Sequence, residues 1–306
     1  GSSQRMMQGL VLDAAAPLFG RAAQLIKLAP LPPGEIGAAL GITDAAEMVR
    51  AYATWGGIPR YWELAEPFGH SLAEAVDSLV LDPLGPLHTE PDRLLREESP
   101  PATALRPILD VVGSGAHKVS EIAARIGQQA TSLSRPLNRL IEMELLRREL
   151  PFGASERQTK RSLYRMADAF LRLWFKVVAP NRSFLAEANT KARRRLWSRH
   201  HDSLAAETWE ELARQGVAQL PQSLVSGPWR PARRFWHGNA SEFDVVAQSE
   251  SGNRVLLGDV KWSTEPFDAD RLASVYQQLR AKGPPTPART LIGAEQRYIT
   301  YVVFVP

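Results

Sequence analysis

The chain has 306 residues, of which 44% are hydrophobic and 23% charged, with a formal net charge of +4. That is the composition of a globular protein with enough material for two or three domains. Cysteine is absent, which excludes a disulfide framework and a thiolate metal site. No apolar run approaches the ~18 residues of a membrane span and no signal peptide is visible, so a cytoplasmic chain without a membrane partner is expected. The mild positive charge permits nucleic-acid binding without requiring it.

In residues 1–98, the stretches 44–53, 70–81 and 92–98 read as helices separated by proline- and glycine-rich breaks. No G-x-x-x-x-G-K-[ST] loop occurs, so nothing cradles a triphosphate in the P-loop manner, and no acidic Walker-B strand is present. The string Gly113-Ser114-Gly115-Ala116-His117-Lys118 lacks a glycine before its lysine and is expected to be a loop. The opening Gly1-Ser2-Ser3 admits a cloning remnant. The same stretch also resembles the end of the ATPase core in archaeal-type ATPases of the AAA+/STAND group. Ser2, Ser3, Met6 and Met7 match a "GSS…MM" segment of that family, and Pro17 to Arg21 (PLFGR) match "PLYGR". Trp55 to Tyr61 (WGGIPRY) resembles the "GG-x-P-x-Y" element of its lid. The resemblance implies that Pro59 lies near a nucleotide base and that Arg21 is a phosphate-sensing arginine. It implies a remnant of an ATPase core and helical lid, with the phosphate loop in a missing front half. ATP would then bind only if an upstream segment or a partner chain supplied that half, and autonomous ATP hydrolysis is not expected.

Ser99-Pro100-Pro101 marks a boundary, and residues 99–167 read as a winged helix-turn-helix. A helix is expected over 102–112, a second capped by Ser120 and ended at Gly127, and a third over 131–143 with Pro136 near its first turn. Residues 145–150 and 161–165 suit a β-hairpin wing. Arg135 and Arg139 on the third helix, with Arg147, Arg148, Arg157, Lys160 and Arg161 about the wing, are candidate phosphate contacts. Winged helices also dock proteins, and arginines also solvate surfaces, so DNA contact and a plain basic surface are both open.

Residues 168–306 form the third expected part. Tyr164 to Phe175 (YRMADAFLRLWF) resembles the "Y-x-x-x-D-x-F-L-R-F-W" junction of archaeal-type ATPases that carry a C-terminal domain considered PD-(D/E)XK-like. Phe170 to Val178 reads as a buried amphipathic helix. Arg193-Arg194-Arg195 reads as a solvated face, and His200-His201 lacks the i,i+4 spacing of a helical metal pair. A helix over 203–214 carries Glu207, Glu210 and Glu211. Trp229 to Trp236 interleaves aromatics with arginines, which suits either base stacking or an irregular strand with packed tryptophans.

Glu242 to Trp262 reads as two apolar strands about a two-residue Ser251-Gly252 turn. Counting outward sets Asp244 opposite Asp259 and Glu242 opposite Lys261, with Asp259 and Lys261 on one sheet face. Opposed aspartates repel unless a cation lies between them, and a hard divalent ion would resolve the conflict. By itself D…D-x-K is a weak motif that a solvated hairpin face also satisfies. The stretch resembles the PD-(D/E)XK nuclease core, with Phe243-Asp244 in place of "PD" and Asp259 where Glu is more frequent. The resemblance implies a metal shell of Asp244, Asp259 and a helix-borne glutamate, Glu210 with Glu207 as second choice, and Lys261 at the attacking water. Gln277 or Gln278 weakly resembles a glutamine some members place beside the site. A helix over 268–282 with Leu272, Tyr276 and Leu279 inward, a Pro284–Pro287 loop and a final strand over 298–305 complete the pattern.

The expectation is therefore an α+β multidomain chain of ATPase-lid remnant, winged helix and restriction-endonuclease-like α/β core. Its expected chemistry is Mg2+- or Mn2+-dependent hydrolysis of DNA, with DNA and an ATPase segment as partners. A non-catalytic DNA- or protein-binding module is the alternative.

Overall fold

The computed structural model describes residues 28–98, 105–157, 161–292 and 298–306, together with 14, 15, 20, 21, 24 and 26. Ser2, Ser3, Met6, Met7, Pro17 to Phe19, the Ser99–Pro101 boundary and Lys160 lie outside the described residues. The fold is α+β with two small sheets. It divides into one unit of Gly1–Arg148 with Tyr164–His201, and a second of Glu149–Leu163 with Asp202–Pro306. That division does not fall at 168, where the sequence reading set its last boundary, because the helix beginning at Ala169 is part of the core of the first unit. No helix among the described residues is long and apolar enough to cross a membrane.

In the first unit, α1 (Pro33–Leu40) and α3 (Pro59–Ala65) each open on a proline, whose fixed φ suits a first turn. Neither was expected from the sequence. Between them α2 (Ala45–Trp55) is capped by Asp44, which accepts the Glu47 N–H at 2.8 Å. Next, α4 (Leu72–Val76) runs into a wider turn over Asp77–Leu81, and α5 (Glu90–Glu98) follows. Three further helices come next, α6 (Arg106–Gly113), α7 (Val119–Ile126) and α8 (Ser134–Glu142), the last entered through a tight turn at Ala130–Leu133. Ile122, Leu133, Leu137 and Leu140 are buried among them. Ser120 lies inside α7 and does not cap it. Glu121 does that work instead, accepting the N–H groups of His117 at 3.1 Å and Lys118 at 3.2 Å. Gly127 closes α7 with φ 67°, as its sequence position predicts. β1 (Leu146–Glu149) and β2 (Leu163–Met166) pair as a two-stranded sheet. The chain then enters α9 (Ala169–Leu173), which continues as a wider turn to Val178, α10 (Arg182–Glu187) and α11 (Thr190–Ser198).

The paired glycines of WGGIPRY are explained by close approach. A Cβ on Gly56, whose φ is 62°, would lie 2.4 Å from Asp168 Oδ2; one on Gly57 would lie 2.5 Å from the Leu31 carbonyl. Asp168 caps α9 by accepting the Leu171 N–H at 3.0 Å. The Tyr61 and Phe170 rings meet at 4.6 Å. The WGGIPRY and DAFLRLWF motifs are thus two sides of one contact. Arg193 departs from the solvated face expected of its basic run. Its side chain, 11% exposed, pairs with Asp77 at 2.6 Å and Asp82 at 2.9 Å, joining α11 to the turn after α4.

The second unit is a four-stranded sheet between helices. α12 (His201–Gly216) leads to β3 (Arg233–Phe235), β4 (Phe243–Gln248) and β5 (Val255–Val260). α13 (Ala269–Ala281) and α14 (Thr286–Ile292) precede β6 (Ile299–Phe304). The order is β3-β4-β5-β6, antiparallel except that β5 and β6 run parallel. A parallel neighbour requires a crossover, which α13 and α14 provide. Period-two alternation divides the sheet. Val245, Ala247, Leu256 and Val260 pack on Ala213 of α12 and on Val217, while Val246, Val255 and Leu257 pack on Leu279 of α13 and Ala288 of α14. The Trp229–Trp236 stretch is the irregular strand alternative: Trp229 bridges to Ser249, and β3 shifts register between Arg233 and Phe235.

Two expectations fail here. Residues 286–292 are helical although a loop was expected after Pro284-Pro285, because Pro287 falls in the first turn where its missing N–H costs little. Tyr276 is 39% exposed rather than inward, set edge-on to Tyr301 at 6.3 Å.

Candidate functional site

The β4–β5 register runs Val245↔Gly258, Val246↔Leu257, Ala247↔Leu256 and Gln248↔Val255. Carried one step past Val245 it sets Asp244 opposite Asp259, the pairing that counting from Ser251-Gly252 predicts. The turn itself is wider. Ser249 N–H donates to the Arg254 carbonyl at 2.9 Å, enclosing Glu250–Asn253, with Gly252 at φ 81°. Two residues added symmetrically about the same centre leave the register unchanged.

Asp259 is 3% exposed at the end of β5. An aspartate so placed needs compensation. Lys282, just past the end of α13, supplies it: Nζ donates to Oδ1 at 2.7 Å and Oδ2 at 2.9 Å, and to the Glu242 carbonyl at 3.1 Å. The ammonium also lies 5.3 Å from the centre of the Phe243 ring. Lys261 Nζ stands 3.6 Å from Asp259 Oδ2, with its side chain 38% exposed. Asp244 Oδ2 accepts the Val260 N–H at 2.9 Å, which holds that carboxylate against β5.

The helix-borne glutamate is engaged elsewhere. Glu210 lies 3.7 Å from Arg214 one turn along α12, and Arg214 donates to the Asp244 main-chain carbonyl at 3.1 Å. Burial pulls the Arg214 guanidinium below its ordinary range, an effect that Glu149, Glu210 and Glu211 oppose. Among the described residues no three of His, Cys, Asp and Glu converge as metal ligands. Gln277 and Gln278 are exposed, and Glu207 is half-buried on α12.

Lys261 stands beside Asp259, as expected from their shared strand face, and Asp244 meets the Val260 N–H on the adjoining strand. Lys282 and Arg214 were not expected there. Lys282-Gly283 at a helix end was a usable signal, since lysine is favoured at the negative end of a helix; nothing local pointed it at Asp259.

The other candidates are dispersed. Arg135 is exposed on α8, and Arg139 pairs with Glu142 at 3.7 Å. Arg147 and Arg148 are half-buried in β1, while Arg161 is exposed. Pro59 is exposed in the first turn of α3, and Arg21 is exposed. The loop from β1 toward Arg157 is held to the second unit's sheet: Phe152 N–H donates to the Arg234 carbonyl at 2.7 Å, and Glu156 pairs with Arg233 at 3.0 Å.

Residues 174–272 match the model of the DUF234 family, described as archaea bacterial proteins of unknown function. The matched segment contains Glu210, Asp244, Asp259 and Lys261 and ends before Lys282. The chain is also similar to an uncharacterized protein of Methanocaldococcus jannaschii, MJECL04, with 27% identity over 293 residues. That alignment covers 92% of this chain, which spans 62% of the relative's length. No solved structure matches the chain.

Proposed function

We propose that α12, β3–β5, α13 and β6 make up a PD-(D/E)XK nuclease-like core that hydrolyses DNA phosphodiesters with a divalent metal. The observation that supports the reading is the β4–β5 register, paired as far as Val245↔Gly258 with Asp244 and Asp259 the next residue on each strand, together with Lys261 Nζ 3.6 Å from Asp259 Oδ2.

Asp244 and Asp259 are oxygen donors of the kind a hard ion takes, and such an ion would displace the Lys282 ammonium that now bridges both Asp259 oxygens. Mg2+ or Mn2+ would be held by Asp244 and Asp259, with water and substrate phosphate completing its shell. Such an ion supplies charge stabilisation at phosphorus and an acidified water. Lys261 would orient the attacking water and relay its proton to solvent as the water oxygen bonds phosphorus and the P–O bond to the leaving sugar oxygen breaks, that oxygen taking a proton from solvent. Glu210 assists by turning from Arg214 toward the pair.

The same proposal reads α6, α7, α8 and the β1–β2 hairpin as a winged helix, with Arg135 and Arg139 of α8 as phosphate contacts. It reads the helices from α1 to α5 as an ATPase lid, so that ATP enters only if a phosphate loop comes from upstream or from a partner chain.

The test is cleavage of linear and circular DNA in Mg2+ or Mn2+ by the wild type, Lys261→Ala and Asp259→Asn. Loss of general acid–base assistance in Lys261→Ala is expected to lower the rate by about 100-fold or more. Equal rates in wild type and Lys261→Ala would sink the mechanism. A second reading, a non-catalytic DNA- or protein-binding module, is favoured by one observation: Lys282 already neutralises Asp259. Salt-sensitive DNA binding without metal-dependent cleavage would establish it.

A further inference from the structure

A groove of about 700 Å³ runs between β3, α14 and the loop at Phe152-Gly153. We propose that it binds a single-stranded nucleic-acid segment through phosphate contacts and base stacking. The inference rests on the nuclease reading and names the path the substrate strand takes to that site.

Charge is the first argument. Arg161, Arg230, Arg233 and His237 line the groove, and among the described residues no aspartate or glutamate does. Arg230 donates to the Glu250 main-chain carbonyl at 3.1 Å, a neutral partner that leaves its charge available to an anion. Arg233 pairs with Glu156 outside the lining, with the two side chains 44% and 73% exposed. Exposed pairs of that kind are worth little and exchange readily for a phosphate. Arginine suits this role because its planar fork binds phosphate oxygens two at a time.

An aromatic side chain is the second. Phe152 lines the groove, half-buried against the hydrophobic cluster of the sheet, and its N–H bond to the Arg234 carbonyl fixes its backbone there. Base stacking on such a ring is tolerant of sequence. The space suits a few unstacked bases and is too small for a duplex. An acidic peptide would meet the same cations but has no stacking group for the ring.

Position is the third. Gln248 lines the groove and shares a face of β4 with Val246, which packs with Val255 and Leu257, the β5 residues whose face Asp259 continues. A strand seated in the groove therefore lies on the carboxylate face of the sheet.

The experiment is fluorescence anisotropy of labelled oligo-dT with the full chain in EDTA, where cleavage is silent, over a series of salt concentrations. Arg161→Glu/Arg230→Glu is expected to weaken binding at least tenfold and to flatten the log Kd against log salt slope by about 1.4, two phosphate contacts at ~0.7 each. The neutral Arg161→Gln/Arg230→Gln pair guards against misfolding and is expected to show a smaller loss in the same direction. Lys191→Glu/Arg195→Glu, two exposed positions of α11 outside the groove and outside the proposed winged helix, is expected to leave oligo-dT binding within twofold. Undiminished affinity in the groove variants, an equal loss in the α11 variant, no binding by wild type, or equal affinity for a polyglutamate peptide would each overturn the inference. Mn2+-dependent cleavage assayed in parallel separates the two readings. Cleavage with unaffected groove variants discards the groove and keeps the nuclease; groove-dependent binding without cleavage does the reverse.

Discussion

Lys282 grips both carboxylate oxygens of Asp259, at 2.7 and 2.9 Å, from 23 residues further along the chain. One ammonium thereby satisfies the buried aspartate at the end of β5 and fixes the end of α13 against it. Removing it leaves a 4%-exposed carboxylate with only Lys261, at 3.6 Å, for company.

Lys282→Met is accordingly expected to destabilise the protein by about 2–3 kcal/mol, below the full cost of orphaning a buried charge because Lys282 is partly exposed and Lys261 is near. Mn2+ is expected to recover much of the loss, raising Tm more in the variant than in the wild type. Denaturation melts with and without Mn2+ decide it. Equal shifts in both proteins would mean that metal and ammonium do not share a position.

Gly56→Ala tests the contact between the two motifs of the first unit. The added methyl meets Asp168 Oδ2 at 2.4 Å at a residue whose φ is 62°. Strain and overlap together are expected to cost about 3 kcal/mol. Combining it with Asp168→Ser, which shortens the side chain and keeps a capping oxygen, is expected to recover part of that, a coupling measurable by a double-mutant cycle.

Asp168 also carries a pH signature. Its residue retains some accessible surface, but its carboxyl is enclosed, and burial raises its pKa against the opposing Leu171 N–H bond and Arg172. A carboxyl whose folded pKa exceeds the unfolded ~3.9 binds its proton more tightly in the folded state. Its contribution is therefore full below that value and lost as pH rises through the folded pKa. Asp168→Asn, which can still cap α9, is expected to flatten this component of stability. Urea titrations across the acid range would show parallel wild-type and variant profiles if burial of the charge were unimportant.

Arg193→Ala removes the shared partner of two carboxylates at once. Asp77, with a side chain 5% exposed, loses its 2.6 Å contact, and Asp82 its 2.9 Å contact. A loss of about 3 kcal/mol is expected, with Arg193→Lys restoring less than half because one ammonium cannot reproduce the fork. Urea midpoints for the three proteins measure it; a change under ~0.5 kcal/mol would place the pair among ordinary surface contacts.

What could be read in advance was local. The β4–β5 register follows from a turn and a period of two, so Lys261 could be set beside Asp259, with Asp244 on the adjoining strand, by counting alone. Gly127 announced one helix end for the same local reason. Lys282, Arg214 and Arg193 could not be placed in that way. Each is an ordinary cation on a helix or at its end, and only tertiary packing chooses the carboxylate or carbonyl it meets. The helix at Thr286–Ile292 was obscured by its own prolines, which break a helix in the middle and are tolerated at the start.

The Phe152 contact has a consequence for association. A border strand of a sheet displays free carbonyls and N–H groups, and a second molecule can dock a strand there and begin a polymer. On β3 the chain answers its own Arg234 carbonyl with the Phe152 N–H. Excising the loop would uncover that border, and the shortened protein is expected to self-associate as concentration rises. In this sense the excursion between β1 and β2 acts as a built-in guard against fibre growth.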